Sequence, residues 1–235
     1  MNDLPLNILE GQTGPEGAPV AASIIVLHGL GADGNDFVPI ARELDLSAIG
    51  VVRYVFPSAP VRPVSLNNGY PMPAWYDIFP PPTDASLPRR EDEPGLREAA
   101  GWVQQLIDRE VERGVPPGRI VLMGFSQGCA MTLMTGLRAP QRLAGLAGLS
   151  GYLPLAGSLA AEASAANRDT SVFLAHGTED DIVVPERGEA TRDALTALGY
   201  PVQWHTYAMG HTVYPEEVAD LNRWLLAVLS APAAA

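Results

Sequence analysis

Cysteine is nearly absent: Cys129 is the only one in 235 residues. A single thiol excludes an internal disulfide and lends no support to an oxidising compartment. With four scattered histidines it offers no metal-ligand spacing either, so no metal is expected. Positive charge is also scarce. Fifteen Lys and Arg face 27 Asp and Glu, for a formal charge of −12. The nearest thing to a basic cluster, Arg89-Arg90, runs straight into Glu91-Asp92-Glu93. Nucleic acid and anionic membrane surfaces are therefore not expected as partners. No apolar run is long enough for a membrane span, which argues against stable membrane insertion. Met1 to Gly17 shows neither the basic nor the apolar region of a secretory signal. The expectation is a soluble cytoplasmic protein.

What remains is ample material for a core, since 47% of residues are hydrophobic and 18% charged. Short runs rich in β-branched and apolar residues read as buried strands: 23–27, 51–55, 120–125, 143–149, 171–175 and 202–207. Helical segments fall between them. The clearest spans about Pro94 to Arg113, with Leu96, Ala99, Val103, Leu106 and Ile107 on one stripe and Gly114 as its stop. A helix from Pro185 is expected to bury Ala190, Ala194, Leu195 and Leu198. Another from Pro215 places Val218, Leu221, Leu225 and Val228 on one side. Repeated β-α-β alternation implies an α/β fold with a mostly parallel sheet covered on both faces. One stretch, Pro57 to Glu93, reads as a long proline-rich loop whose aromatic residues favour packing over disorder. No linker divides the chain, so one domain over residues 1–235 is expected, with a frayed Ala/Pro-rich tail from about Ser230.

Gly124-Phe125-Ser126-Gln127-Gly128 lies between the apolar run 119–123 and the helical run 129–138. Serine is a poor nucleophile until it is exposed and aimed, and a sharp strand-to-helix turn does both. Such a turn needs glycine on either side of it, because a Cβ there meets neighbouring backbone. It also sets the serine at a helix N-terminus, where free N–H groups face a developing negative charge. The pentapeptide alone is a weak signal. A nucleophilic serine further needs a base and a carboxylate to orient that base. In parallel sheets these come from loops beyond the strands' C-terminal ends, in the order Ser, acid, His. Glu179, Asp180 and Asp181 follow the strand ending at Ala175, and Gly210-His211 follows the strand ending at Tyr207. The set is Ser126 as nucleophile, His211 as base and an aspartate as orienter. Two oxyanion donors are expected, the N–H of Gln127 and the N–H of Leu30 in the loop His28-Gly29-Leu30-Gly31. His28, His176 and His205 read as structural, Cys129 as packed against the sheet, and Asp77 as a turn residue. Leu66, Met72 and Trp75 are candidates for an acyl groove, with core packing as the alternative.

On these residues the chain resembles the phospholipase/carboxylesterase group of α/β-hydrolases, which includes acyl-protein thioesterases and bacterial carboxylesterases. The likeness rests on residues 28–37, 56–64, Asn67-Asn68-Gly69-Tyr70, Ala74-Trp75-Tyr76-Asp77-Ile78, 124–128 and Gly210-His211. It implies a compact α/β-hydrolase fold without a large cap domain. It also implies hydrolysis of carboxylic esters or thioesters without a cofactor, a small-molecule substrate, and a weak homodimer as one assembly. The family pattern His-Gly-x-x-Asp-x-x-Val-Pro leaves two aspartates open. Counting from His176 selects Asp180, whereas counting back from Val184-Pro185 selects Asp181. The spacing to Gly188 favours Asp180.

Overall fold

A computed structural model describes residues 4–15, 17–84 and 89–230. The tail beyond Ser230 lies outside them. The described chain opens with β1 (Asn7–Gln12), β2 (Val20–Leu27), the short α1 (Val38–Glu43) and β3 (Val51–Ser58). Next come β4 (Val61–Val64), β5 (Tyr70–Pro73) and α2 (Glu93–Glu112). Then β6 (Ile120–Phe125), α3 (Gln127–Gly136), β7 (Gly145–Leu149), α4 (Ala156–Glu162) and β8 (Ser171–Gly177) alternate. The chain closes with α5 (Pro185–Ala197), β9 (Val202–Tyr207) and α6 (Pro215–Ser230).

Seven strands form one sheet in the order β1-β3-β2-β6-β7-β8-β9. Only β1 runs antiparallel, against β3. The others pair in parallel, so their C-terminal ends share one edge. Successive side chains of a strand point to opposite faces. Accordingly Ile25 and Leu27 enter one core with α2, α3 and residues of α4 and α5. Ile24 and Val26 enter the other, beneath Phe37, Leu44 and α6. Helices therefore cover both faces, the arrangement of an α/β-hydrolase sheet. Every residue of α3 is buried, because it lies between the sheet and α2.

The predicted stripe of α2 is fully buried, and Asp92 caps the helix by accepting the Gly95 N–H at 3.1 Å. The expectation for α5 needs correction. Ala190 and Leu198 face outward, and the inner face is Gly188, Thr191 and Leu195. Thr191 takes that place because its hydroxyl accepts the Leu153 N–H at 2.8 Å and donates to the Arg187 carbonyl at 2.9 Å. On α6, Val228 is only half buried and Leu229 takes the core position. The loop of 57–93 is also more regular than its sequence suggests: β4 and β5 pair as an antiparallel hairpin within it.

Glu217 of α6 is fully buried, and neither carboxyl oxygen holds a hydrogen bond. Burial raises its pKa to about 8. The folded carboxyl therefore keeps its proton where the unfolded one has lost it. Stability should fall as pH rises from the ordinary carboxyl range towards 8, and level off above. Glu217→Gln should flatten this profile and raise Tm at pH 8.5 by at least about 3 °C. Thermal melts at pH 6 and 8.5 check it; equal slopes in the two proteins would refute it.

Candidate active site

Ser126 sits at the N-terminal cap of α3 with φ 54° and ψ −115°. A positive φ is unfavourable for a residue with a Cβ and persists only where the surroundings impose it. Here the Ser126 N–H donates to the Leu149 carbonyl at 2.8 Å, and the Ser126 carbonyl accepts the Ala130 N–H at 3.2 Å. The flanking glycines make the turn possible. A Cβ on Gly124 would lie 2.2 Å from the Gly128 carbonyl oxygen, and one on Gly128 2.0 Å from that of Leu27. Both obstacles are backbone, so neither can swing aside. Gly128→Ala should cost more than about 4 kcal/mol or prevent folding, as urea denaturation will read. A loss below about 1 kcal/mol would show that the elbow yields.

The loop after β2 lies beside this turn because β2 and β6 are neighbours. A Cβ on Gly29 would stand 3.4 Å from the Ser126 Cβ. His28 is buried and fixed in one tautomer: Nδ1–H donates to the Gly29 carbonyl at 2.7 Å, and Nε2 accepts the Ala59 N–H at 2.9 Å. Burial lowers its pKa, so the imidazole is a neutral brace. The Gly31 N–H donates to Pro73 and the Ala32 N–H to Gly29, whereas the Leu30 N–H meets no acceptor among the described residues. The Gln127 N–H, in the first turn of α3, has no partner within its helix.

The loops after β8 and β9 clasp one another. Thr178 N–H donates to the Tyr207 carbonyl at 2.8 Å, and Glu179 N–H to that of Met209 at 3.0 Å. Gly177 permits this, since a Cβ there would lie 2.3 Å from the Met209 carbonyl oxygen. The clasp sets His211 Nδ1 2.7 Å from Asp180 Oδ2. The other oxygen of Asp180 accepts two backbone N–H groups, Ile182 at 3.0 Å and Val183 at 2.9 Å. Asp180 is buried, whereas the neighbouring Asp181 is exposed and touches no imidazole. His176 donates to the Val183 carbonyl at 2.7 Å and steadies the same loop. The His211 ring packs on Phe125, with centroids 4.7 Å apart, and so reaches back across two strands to the serine turn. The Ser126 hydroxyl makes no hydrogen bond to a described residue, the imidazole included.

Ser126 and His211 open into one cleft of about 370 Å³, walled in part by Leu30, Leu66, Phe125 and Ile182. Of the three groove candidates, Leu66 lines this cleft. Trp75 does not, which corrects that expectation. It is fully buried, with its indole N–H donating to the His28 carbonyl at 3.0 Å and its backbone N–H to Gln127 Oε1 at 2.9 Å. An indole with a buried acceptor packs as a keystone between two loops rather than as a wall. Met72 also lies off the cleft, with its sulfur accepting from Asn67 Nδ2 at 3.3 Å. The Gln127 side chain was not singled out from sequence. It donates to the Tyr76 carbonyl at 2.8 Å, so both ends of its amide pin the proline-rich loop to the serine turn. Asp77 fixes the same loop by accepting from the Ser65 N–H at 2.7 Å and hydroxyl at 2.6 Å. Burial pushes the Cys129 thiol up to about 12, so it is no rival nucleophile at neutral pH. Among the described residues no cluster could hold a metal ion.

The site thus holds the parts that acyl transfer uses: a strained serine, an imidazole backed by a buried carboxylate, and amides without acceptors. The chain is also similar to known proteins. Residues 12–229 match the phospholipase/carboxylesterase family. The acyl-protein thioesterase 1 of Yarrowia lipolytica is 40% identical over 215 residues, covering 90% of this chain and 93% of the relative. The crystal structure of SOBER1 from Arabidopsis thaliana superposes with a TM-score of 0.82 at 32% identity, over 88% of this chain and 99% of that one. That of acyl-protein thioesterase 2 from Zea mays gives 0.80 at 31% identity, over 94% and 99%. Fold and sequence agree: this chain is a hydrolase and belongs to the phospholipase/carboxylesterase family.

Proposed function

We propose that this chain, folded as one domain, is a cytoplasmic carboxylesterase that acts on small-molecule esters of short to medium acyl chains. Ser126 Oγ attacks the acyl carbon, and His211 takes its proton and returns it to the leaving group. Asp180 accepts the Nδ1–H and holds the imidazole in the tautomer whose Nε2 lone pair is available as base. The Leu30 and Gln127 N–H groups stabilise the oxyanion. The observation that carries this reading is the hydrogen bond at 2.7 Å between His211 and the buried Asp180, on a ring packed against the residue before Ser126. Hydrogen bonds from such serines are often long before substrate arrives, so the unengaged Ser126 hydroxyl is compatible with the role. No step calls for a metal or other cofactor, and a weak homodimer is the assembly proposed. A fluorophosphonate should label Ser126 alone, as peptide mass mapping will show. Labelling elsewhere, or none, overturns the assignment.

The relatives named acyl-protein thioesterase favour a second reading, thioester hydrolysis on the same residues, and the family's phospholipase description extends it to lysophospholipids. Acyl esters and thioesters of graded chain length, compared by kcat/KM, separate the two.

A further inference from the structure

The cleft at Ser126 has one wall unlike the rest. Arg187, half buried in the first turn of α5, lines it together with Tyr152 and Arg89. The Arg187 guanidinium lies 3.4 Å from the centre of the Tyr152 ring. The Tyr152 hydroxyl is in turn tied to that of Tyr76 at 2.7 Å. This stack holds the guanidinium in place without neutralising it. Elsewhere Arg53, Arg109, Arg113 and Arg138 pair with glutamates. Arg187 pairs with none of the described acids. Asp36 lines the same cleft without reaching it. Glu91 lies in the small adjoining pocket, where its carboxylate accepts the Leu155 N–H.

A planar cation with unclaimed N–H donors, in a cleft whose walls include the apolar Leu30, Leu66, Phe125 and Ile182, is suited to a carboxylate or phosphate. The chain's net charge of −12 repels anions at long range, so any anionic preference must arise locally. We infer that Arg187 is a specificity-determining residue that selects esters bearing an anionic group on the acyl or the leaving side. This inference rests on the hydrolase reading of the same cleft.

Two matched ester pairs test it. 4-Nitrophenyl hydrogen glutarate against 4-nitrophenyl pentanoate places a carboxylate on the acyl side. 4-Acetoxybenzoate against 4-methylphenyl acetate places it on the leaving side. The ratio of kcat/KM, anionic over neutral, should fall about tenfold from wild type to Arg187→Met in one pair. Arg187→Lys should keep part of the preference, and added salt should erode it in wild type. The same pairs are titrated by ligand-observed NMR against Ser126→Ala and Ser126→Ala/Arg187→Met, where nothing turns over. Tighter binding of the anionic ester that vanishes with Arg187→Met supports the inference even if the hydrolytic reading fails. Equal ratios in wild type and Arg187→Met for both pairs overturn it, and leave that reading intact if the neutral esters are still cleaved.

Discussion

Asp180→Asn will lower kcat on a neutral activated ester by about 10⁴-fold, while Asp181→Asn will change it less than about threefold. The asymmetry follows from the hydrogen bonds of the carboxylate. Oδ1 of Asp180 accepts from the Ile182 and Val183 N–H groups, and Oδ2 accepts from His211. An asparagine at 180 must keep its oxygen on the two amides, because its NH₂ cannot accept from them. The NH₂ then faces His211 Nδ1 and forces that nitrogen to become the acceptor. The ring proton moves to Nε2, and the atom required as base becomes a donor. Fold and burial stay the same while the tautomer is wrong. Asp181 is exposed, so its substitution touches none of these bonds. Steady-state kinetics of the two variants, with circular dichroism to confirm folding, decides between them. A drop confined to Asp181→Asn, or equal small losses, would remove Asp180 from the mechanism.

The second large effect is expected at the serine. Ser126→Ala should reduce kcat/KM by about 10⁵-fold and abolish fluorophosphonate labelling. Such a serine acts as a unit with its base, so His211→Ala should cost nearly as much, and the double variant little more than either single one. Additive losses would mean that the two residues serve separate steps. Stability should not fall in Ser126→Ala beyond about 1 kcal/mol, because the turn is held by backbone hydrogen bonds and by Gly124 and Gly128. This separates loss of chemistry from loss of fold.

Much of the fold was legible in short stretches of chain. Strands β2, β3, β6, β7, β8 and β9 and helices α2, α3, α5 and α6 each carry a periodicity or an apolar run that shows how they are buried. Elements without such a signal were not. β1 is an edge strand with five of its six residues exposed, so no alternation marks it. α1 buries none of its residues and α4 only Leu159, which leaves no stripe to read. The β4–β5 hairpin is masked by its prolines, Pro63, Pro71 and Pro73. On α5, Thr191 looks polar and Leu198 looks like core, but hydrogen bonding put the first inside and the second out.

By itself the sequence determined the parallel sheet, and with it the edge on which the loops of Leu30, Ser126, Asp180 and His211 emerge. Parallel strands of known direction leave no other place for them. Only the tertiary structure decided that Asp180 and not Asp181 meets the imidazole. Only there does His211, with two strands of the sheet between, reach back to Phe125, and only there does Trp75 become a buried keystone. Periodicity records which face of an element is buried, a property of a few consecutive residues. It carries nothing about which atoms meet across loops joined by dozens of residues, where close packing and the geometry of a few backbone hydrogen bonds make the choice.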